Sequence, residues 1–167
     1  MIPPSIEKVL GSAKKSIDVS IPVFKYGERI PPKYTCEGED VSPPIEIKNI
    51  PENTKALALI MYDPDAPIGV FYHWGLYNIP VDKTSLPENI PKTLETPYGL
   101  QTSNDFGTIG YGGPCPPPGH GIHRYFFLVI ALSHPLEAEP GISVRRLPEY
   151  IKGKALAYGL YMGTYSR

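Results

Sequence analysis

Five side chains whose types and spacing suit the binding of a small anion fall in two short stretches of the chain: Asp63, Asp65 and His73, then His123 and Tyr125. Residues two apart in a strand project from the same face, so His123 and Tyr125 form a geometric pair at the start of an apolar run. Asp63 closes one apolar run, and His73 stands just inside the next. Between them lies the turn Asp63-Pro64-Asp65-Ala66-Pro67-Ile68-Gly69, where each proline drives the residue before it toward extended geometry and stiffens the connection. Imidazole N–H and phenol O–H groups can donate to a phosphate or a carboxylate. A carboxylate cannot, so Asp63 is expected to accept from a histidine, fix its tautomer and favour its charged form, leaving the other ring nitrogen to face the ligand. Asp65 fits two readings equally: part of the ligand-binding set, or a turn aspartate bonding an amide two residues on. Tyr72 and Trp74 are read as packing aromatics.

Strands must position these groups. Residues 56–62 and 125–132 are apolar at both parities, as in strands covered on both faces, and residues 71–79 form an aromatic-rich strand joined to 56–62 as a hairpin. If the strand beginning at Tyr125 runs parallel to the one beginning at Phe71, all five side chains gather at one end of a sheet. The loop over residues 112–121 enters that end, and its glycines are expected to bring backbone N–H groups toward a ligand. Elsewhere, Ile17, Val19, Ile21 and Val23 alternate as in a half-buried strand, and Ser143 caps a short helix carrying Val144, Leu147 and Ile151, with Pro148 in its first turn. Residues 155–161 fit a short helix or a strand. Residues 81–98 and 99–121 read as loops, and nothing divides the chain, so a single domain over 1–167 is expected.

Composition narrows the function classes. The 16 Lys+Arg against 17 Asp+Glu give a net charge of −1, which argues against a nucleic-acid surface as the main partner. The longest apolar run is too short to span a bilayer, and Pro3, Pro4, Glu7 and Lys8 interrupt any signal-peptide core, so a soluble cytoplasmic protein is expected. Two cysteines are too few for a disulfide framework, while 21 prolines and a single glutamine fit a thermophilic source. The alternative to a binding protein is a metal-dependent hydrolase using His73, His120, His123, Cys115 and the two aspartates, although no matched ligand quartet is evident. A Cys115 nucleophile is disfavoured because Pro114 and Pro116 remove amides that an oxyanion hole needs. No cofactor-binding fingerprint is present.

The segments Asp63-Pro64-Asp65-Ala66-Pro67, His73-Trp74 and Gly121-Ile122-His123-Arg124-Tyr125 resemble the signatures of the phosphatidylethanolamine-binding proteins, also called Raf kinase inhibitor proteins. The likeness extends through residues 34–44, Tyr111-Gly112-Gly113-Pro114 and Gly163-Thr164-Tyr165-Ser166-Arg167. It implies a mainly β fold in which a large central mixed sheet packs with a smaller sheet and a few short helices. It also implies a pocket lined or oriented by Asp63, His73, Pro116, His123 and Tyr125, accepting a phosphate-like or carboxylate anion or a phosphoethanolamine headgroup, with Asp65 supporting its wall. Such a protein would be non-enzymatic and would modulate or inhibit a partner, a serine peptidase or a kinase. Tyr72, where animal members tend to carry a second histidine, and the end at Arg167 suggest a short bacterial or archaeal form. Cys36 and Cys115 fall in loops flanking the pocket and, with the thermophile-like composition, are expected to form a disulfide.

Overall fold

The computed structural model describes every residue from Met1 to Arg167. Its centre is a seven-stranded sheet built around three long strands: β4 (Ala56–Asp63), β5 (Phe71–Ile79) and β9 (His123–Leu132). Every residue of β4 is buried, which explains why its sequence is apolar at both parities. Leu57, Leu59 and Met61 face one hydrophobic cluster, and Ala58, Ile60 and Tyr62 face a second on the opposite side.

The strands β1 (Lys14–Lys15), β7 (Glu95–Thr96), β8 (Gly99–Gln101) and β10 (Ala155–Tyr165) complete this sheet in the order β1-β10-β9-β4-β5-β8-β7. It is mixed, because β1 pairs with β10 in parallel while β10, β9, β4, β5 and β8 pair antiparallel. A second sheet of β2 (Asp18–Ser20), β3 (Ile45–Lys48) and β6 (Ser85–Leu86) covers one face, burying Val19, Ile45, Ile47 and Leu86 against it. Two short helices, α1 (Pro4–Leu10) and α2 (Leu147–Ile151), cover the other face with Ile6, Leu10, Leu147 and Ile151. No helix is long and apolar enough to cross a membrane.

Several local expectations change. The alternation over Ile17, Val19 and Ile21 does bury those side chains, but only Asp18–Ser20 pairs, because Pro22 has no N–H to continue a ladder. Residues 155–161 belong to β10, which runs on to Tyr165. The stretches read as loops contain β6, β7 and β8, strands of two or three residues. Ser143 does accept from the Arg145 amide, capping a 3₁₀ turn that leads into α2 with Pro148 in its first turn. Cys36 and Cys115 are disulfide-bonded, with their Cα atoms 5.4 Å apart.

Candidate functional site

Because β4 is antiparallel to both β5 and β9, the two outer strands run parallel to each other and start at the same end of the sheet. Asp63 ends β4 at that place, and His123 and Tyr125 open β9. Asp63 shares parity with Met61, and His123 and Tyr125 share parity with Phe127, so all three point to the face covered by the small sheet. His73 needs a further device. Met61 pairs with Trp74 and Tyr62 with Tyr72, so His73 is the extra residue of a β-bulge. The bulge re-aims a side chain that strict alternation would send to the helix-covered face. His73 thereby meets the Tyr125 ring edge-on, with centroids 5.3 Å apart.

These groups open on a cavity of about 310 Å³ lined by Asp63, His73, Pro116, His123 and Tyr125, with Phe71 and Phe106 on its apolar wall. Asp65 is not part of the lining. Its carboxylate accepts from the Arg124 amide and from the guanidinium Nε and a terminal nitrogen, at 2.8 to 2.9 Å. That arginine holds the Asp65 carboxyl below its ordinary value. Asp65 therefore fastens the turn to β9 and does not reach the cavity, which corrects its place in the ligand-binding set.

At the cavity floor, Asp63 Oδ2 accepts from His123 Nδ1 at 2.7 Å, and Asp63 Oδ1 accepts from the Asp65 amide at 2.7 Å. Both members of the pair are buried, 3% and 2% exposed. Burial pushes the Asp63 carboxyl above its ordinary value, and the hydrogen bond from His123 pulls it back. Asp63 is thus the orienter of His123, as its position in the sequence suggests. The other nitrogen of His123 is not open: Nε2 lies 2.6 Å from Nδ1 of His120, an exposed residue between Gly119 and Gly121. The result is a chain of three groups from the buried carboxylate to the surface. Tyr125 stays a phenol, since burial and the neighbouring Asp63 carboxylate push it well above its ordinary value.

His73 has a role that its residue type alone does not reveal. Its Nδ1 lies 2.6 Å from the Gly112 carbonyl, and the Gly112 amide donates back to the His73 carbonyl at 3.0 Å. A carbonyl only accepts, so Nδ1 carries the proton. Burial, opposed by the Gly112 and Gly113 carbonyls, pushes the ring down to about 4, so it is neutral and Nε2 presents a lone pair. His73 is an acceptor here, where the sequence suggests a donor.

This ring makes the folded state acid-sensitive. Between pH 6.5 and about 4 the unfolded chain binds a proton on residue 73 that the folded chain refuses. Stability is therefore complete above pH 6.5 and is lost as pH falls toward 4, by about 3 kcal/mol from this group. The raised Asp63 acts oppositely and offsets part of the loss. Urea unfolding at pH 7 and pH 4 should show a steeper decline for the wild type than for His73→Asn, whose amide can still donate to Gly112. Equal declines would show that the ring is not held neutral.

The loop over residues 111–118 walls the site. Tyr111 donates its hydroxyl to the Tyr34 carbonyl at 2.7 Å, the Cys36 amide donates to the Pro114 carbonyl at 3.1 Å, and Arg167 Nε donates to the Pro116 carbonyl at 2.7 Å. The glycine amides expected to face a ligand are engaged instead, Gly112 with His73 and Gly113 with the Asp40 carboxylate at 2.8 Å. Cys115, considered above as a metal ligand or nucleophile, has its thiol consumed in the disulfide. No three His, Cys, Asp or Glu side chains converge as a metal-ligand set. Sequence reading misses Phe106, which sits edge-on to Phe71 at 4.7 Å on a turn tied by Asn104. An exposed aromatic in a glycine-containing turn carries no periodic signal.

Comparison with known proteins gives consistent matches. The family model described as phosphatidylethanolamine-binding protein matches residues 20–166. The chain is 48% identical over 160 residues to a UPF0098 protein of Pyrococcus horikoshii, covering 94% of this chain and 80% of that one. It is 52% identical over 145 residues to a UPF0098 protein of Aquifex aeolicus, covering 86% and 85%. Among solved structures, it matches E. coli YbcL, described as a new member of the mammalian family, with TM-score 0.84 and 31% identity over 91% of this chain and 99% of that one. A homologue from Chlamydia trachomatis matches with TM-score 0.83 and 34% identity over 92% and 99%.

Proposed function

The chain belongs to the phosphatidylethanolamine-binding protein family, and from that premise we propose that it binds a small phosphate-like or carboxylate anion where β5 and β9 begin, without acting on it chemically. The observation that carries this reading is the buried Asp63–His123 pair beside the Tyr125 phenol, at the floor of a cavity lined mainly by Phe71, Phe106, Pro116 and other apolar groups. A low-dielectric wall strengthens hydrogen bonds to charge. Tyr125 offers an O–H, and His123 offers Nε2–H once His120 swings away on its glycine-flanked loop. Because Nδ1–H is given to Asp63, that Nε2–H exists only on the doubly protonated His123 ring, whose positive charge the Asp63 carboxylate faces. No lysine or arginine lines the cavity, so affinity rests on these few directed donors rather than on net positive charge.

Calorimetric titration with phosphoethanolamine at pH 5.5 tests the reading. A charge-assisted hydrogen bond contributes about 1.5–3 kcal/mol, so His123→Ala should weaken binding by roughly 10- to 100-fold. Tyr125→Phe removes a single phenol donor and should weaken it by roughly 2- to 10-fold. Unchanged affinity in both variants would place the anion elsewhere.

A further inference from the structure

Resting on the anion reading above, we propose that His73 makes the cavity select an acid that still carries its own proton: a singly charged phosphomonoester, in preference to a dianion or a phosphodiester. The geometry assigns this role. Nδ1 of His73 is committed to the Gly112 carbonyl at 2.6 Å, and the reciprocal Gly112 amide bond fixes the backbone of both residues. The ring cannot turn over freely, because it is packed against Phe71 at 4.8 Å, Phe106 at 5.4 Å and Tyr125 at 5.3 Å. Nε2 has no protein partner, and the one buried side-chain polar atom left without a partner anywhere in the molecule is the Thr54 hydroxyl. Nε2 therefore keeps its access to the cavity that His73 lines.

The charged and titratable groups around this ring favour the same state. Asp63, His123 and Tyr125 face it across the cavity, and Asp105 stands on the loop outside. Asp105 is engaged by Arg145 and by the Tyr72 amide, and Asp63 by His123. None donates to Nε2. Burial makes protonation of the ring costly at neutral pH. A lone pair aimed into an apolar cavity calls for a donor on the ligand. A hydrogen phosphate monoester supplies one P–OH to Nε2 while its other oxygens accept from Tyr125 and His123. A dianion offers no proton and brings a second negative charge beside Asp63. A phosphodiester, the form found in an intact lipid headgroup, has the right charge but no hydroxyl on phosphorus.

Calorimetry with phosphoethanolamine and with glycerophosphoethanolamine at pH 5.5 and 7.5 separates these forms, and the diester controls for titration of the protein. With a second phosphate pKa of about 6, the monoanion fraction falls about 25-fold between those pH values. The monoester should lose about that factor more than the diester, and His73→Asn should abolish the difference. Long-range proton–nitrogen NMR on the wild type should show His73 protonated at Nδ1 and unprotonated at Nε2, a readout that does not depend on the variant folding. Equal pH dependence for the two ligands, or a proton on Nε2, would overturn the proposal while leaving the anion reading in place. Absence of binding by either ligand would remove both.

Discussion

Replacing Cys36 and Cys115 together with serine is expected to lower the stability of the folded chain by about 2–4 kcal/mol, with a chain-entropy ceiling of about 4.5 kcal/mol. The bridge joins residues 79 apart, so it removes many open conformations from the unfolded chain. Its loss should act mainly there, because the two loops stay tied by other bonds: the Cys36 amide to the Pro114 carbonyl, Tyr111 to the Tyr34 carbonyl and Gly113 to Asp40. For a chain of this length about 1 kcal/mol moves the melting temperature by about 2–4 °C, so a fall of roughly 5–15 °C is expected. Reductant should reproduce it in the wild type and leave the double variant unaffected. A wild type indifferent to reductant would mean that the bridge does not form in solution. The bridge also bears on the expected cytoplasmic location, since such bonds persist in oxidising compartments or inside thermophilic cells.

The second large effect belongs to Asp63. Asp63→Ala removes the acceptor of the His123 Nδ1–H bond and of the Asp65 amide, both at 2.7 Å, and leaves the buried His123 ring without its partner. Breaking a buried pair by deleting one partner costs about 3–5 kcal/mol, so a loss of at least about 3 kcal/mol is expected. Asp65→Ala is the comparison. Its partner Arg124 is 41% exposed at the side chain, and solvent screening holds such a pair to about 1 kcal/mol. Urea denaturation of both variants should therefore rank Asp63 well above Asp65. The reverse order would show that the turn anchor, not the buried pair, holds this end of the sheet together.

Much of the scaffold is legible before any coordinates. The both-parity apolar runs at residues 56–62 and 125–132 read as strands covered on two faces, and the proline turn after Asp63 closes a hairpin with 71–79, as the structure has them. The parallel relation of β5 and β9 follows once β4 stands between them, which the sequence permits but does not dictate. What stays hidden depends on partners far away in the chain. The bulge that aims His73 is decided by how β5 registers on β4. The Gly113 amide is taken by Asp40 and the Asp65 carboxylate by Arg124, bonds across 73 and 59 residues that no local pattern announces. The two- and three-residue strands are too short to show a period. Helix α1 hides behind Pro3 and Pro4, although a proline is well placed at a first helical position. His120 is visible as a residue type, yet its contact with His123 depends on how a glycine-flanked loop folds back.

An anion that binds where His123, Tyr125 and His73 meet must displace His120 from His123. Long-range proton–nitrogen NMR of the histidine rings during a phosphoethanolamine titration at pH 5.5 tests this most directly. Saturable shifts at His123 and His120 with a common dissociation constant are expected, with the His120 Nδ1 resonance moving away from its hydrogen-bonded position as the bound state fills. Saturable binding that leaves the His123 and His120 signals unmoved would contradict it, and the Asp63–His123–His120 chain would then be a structural network with no ligand.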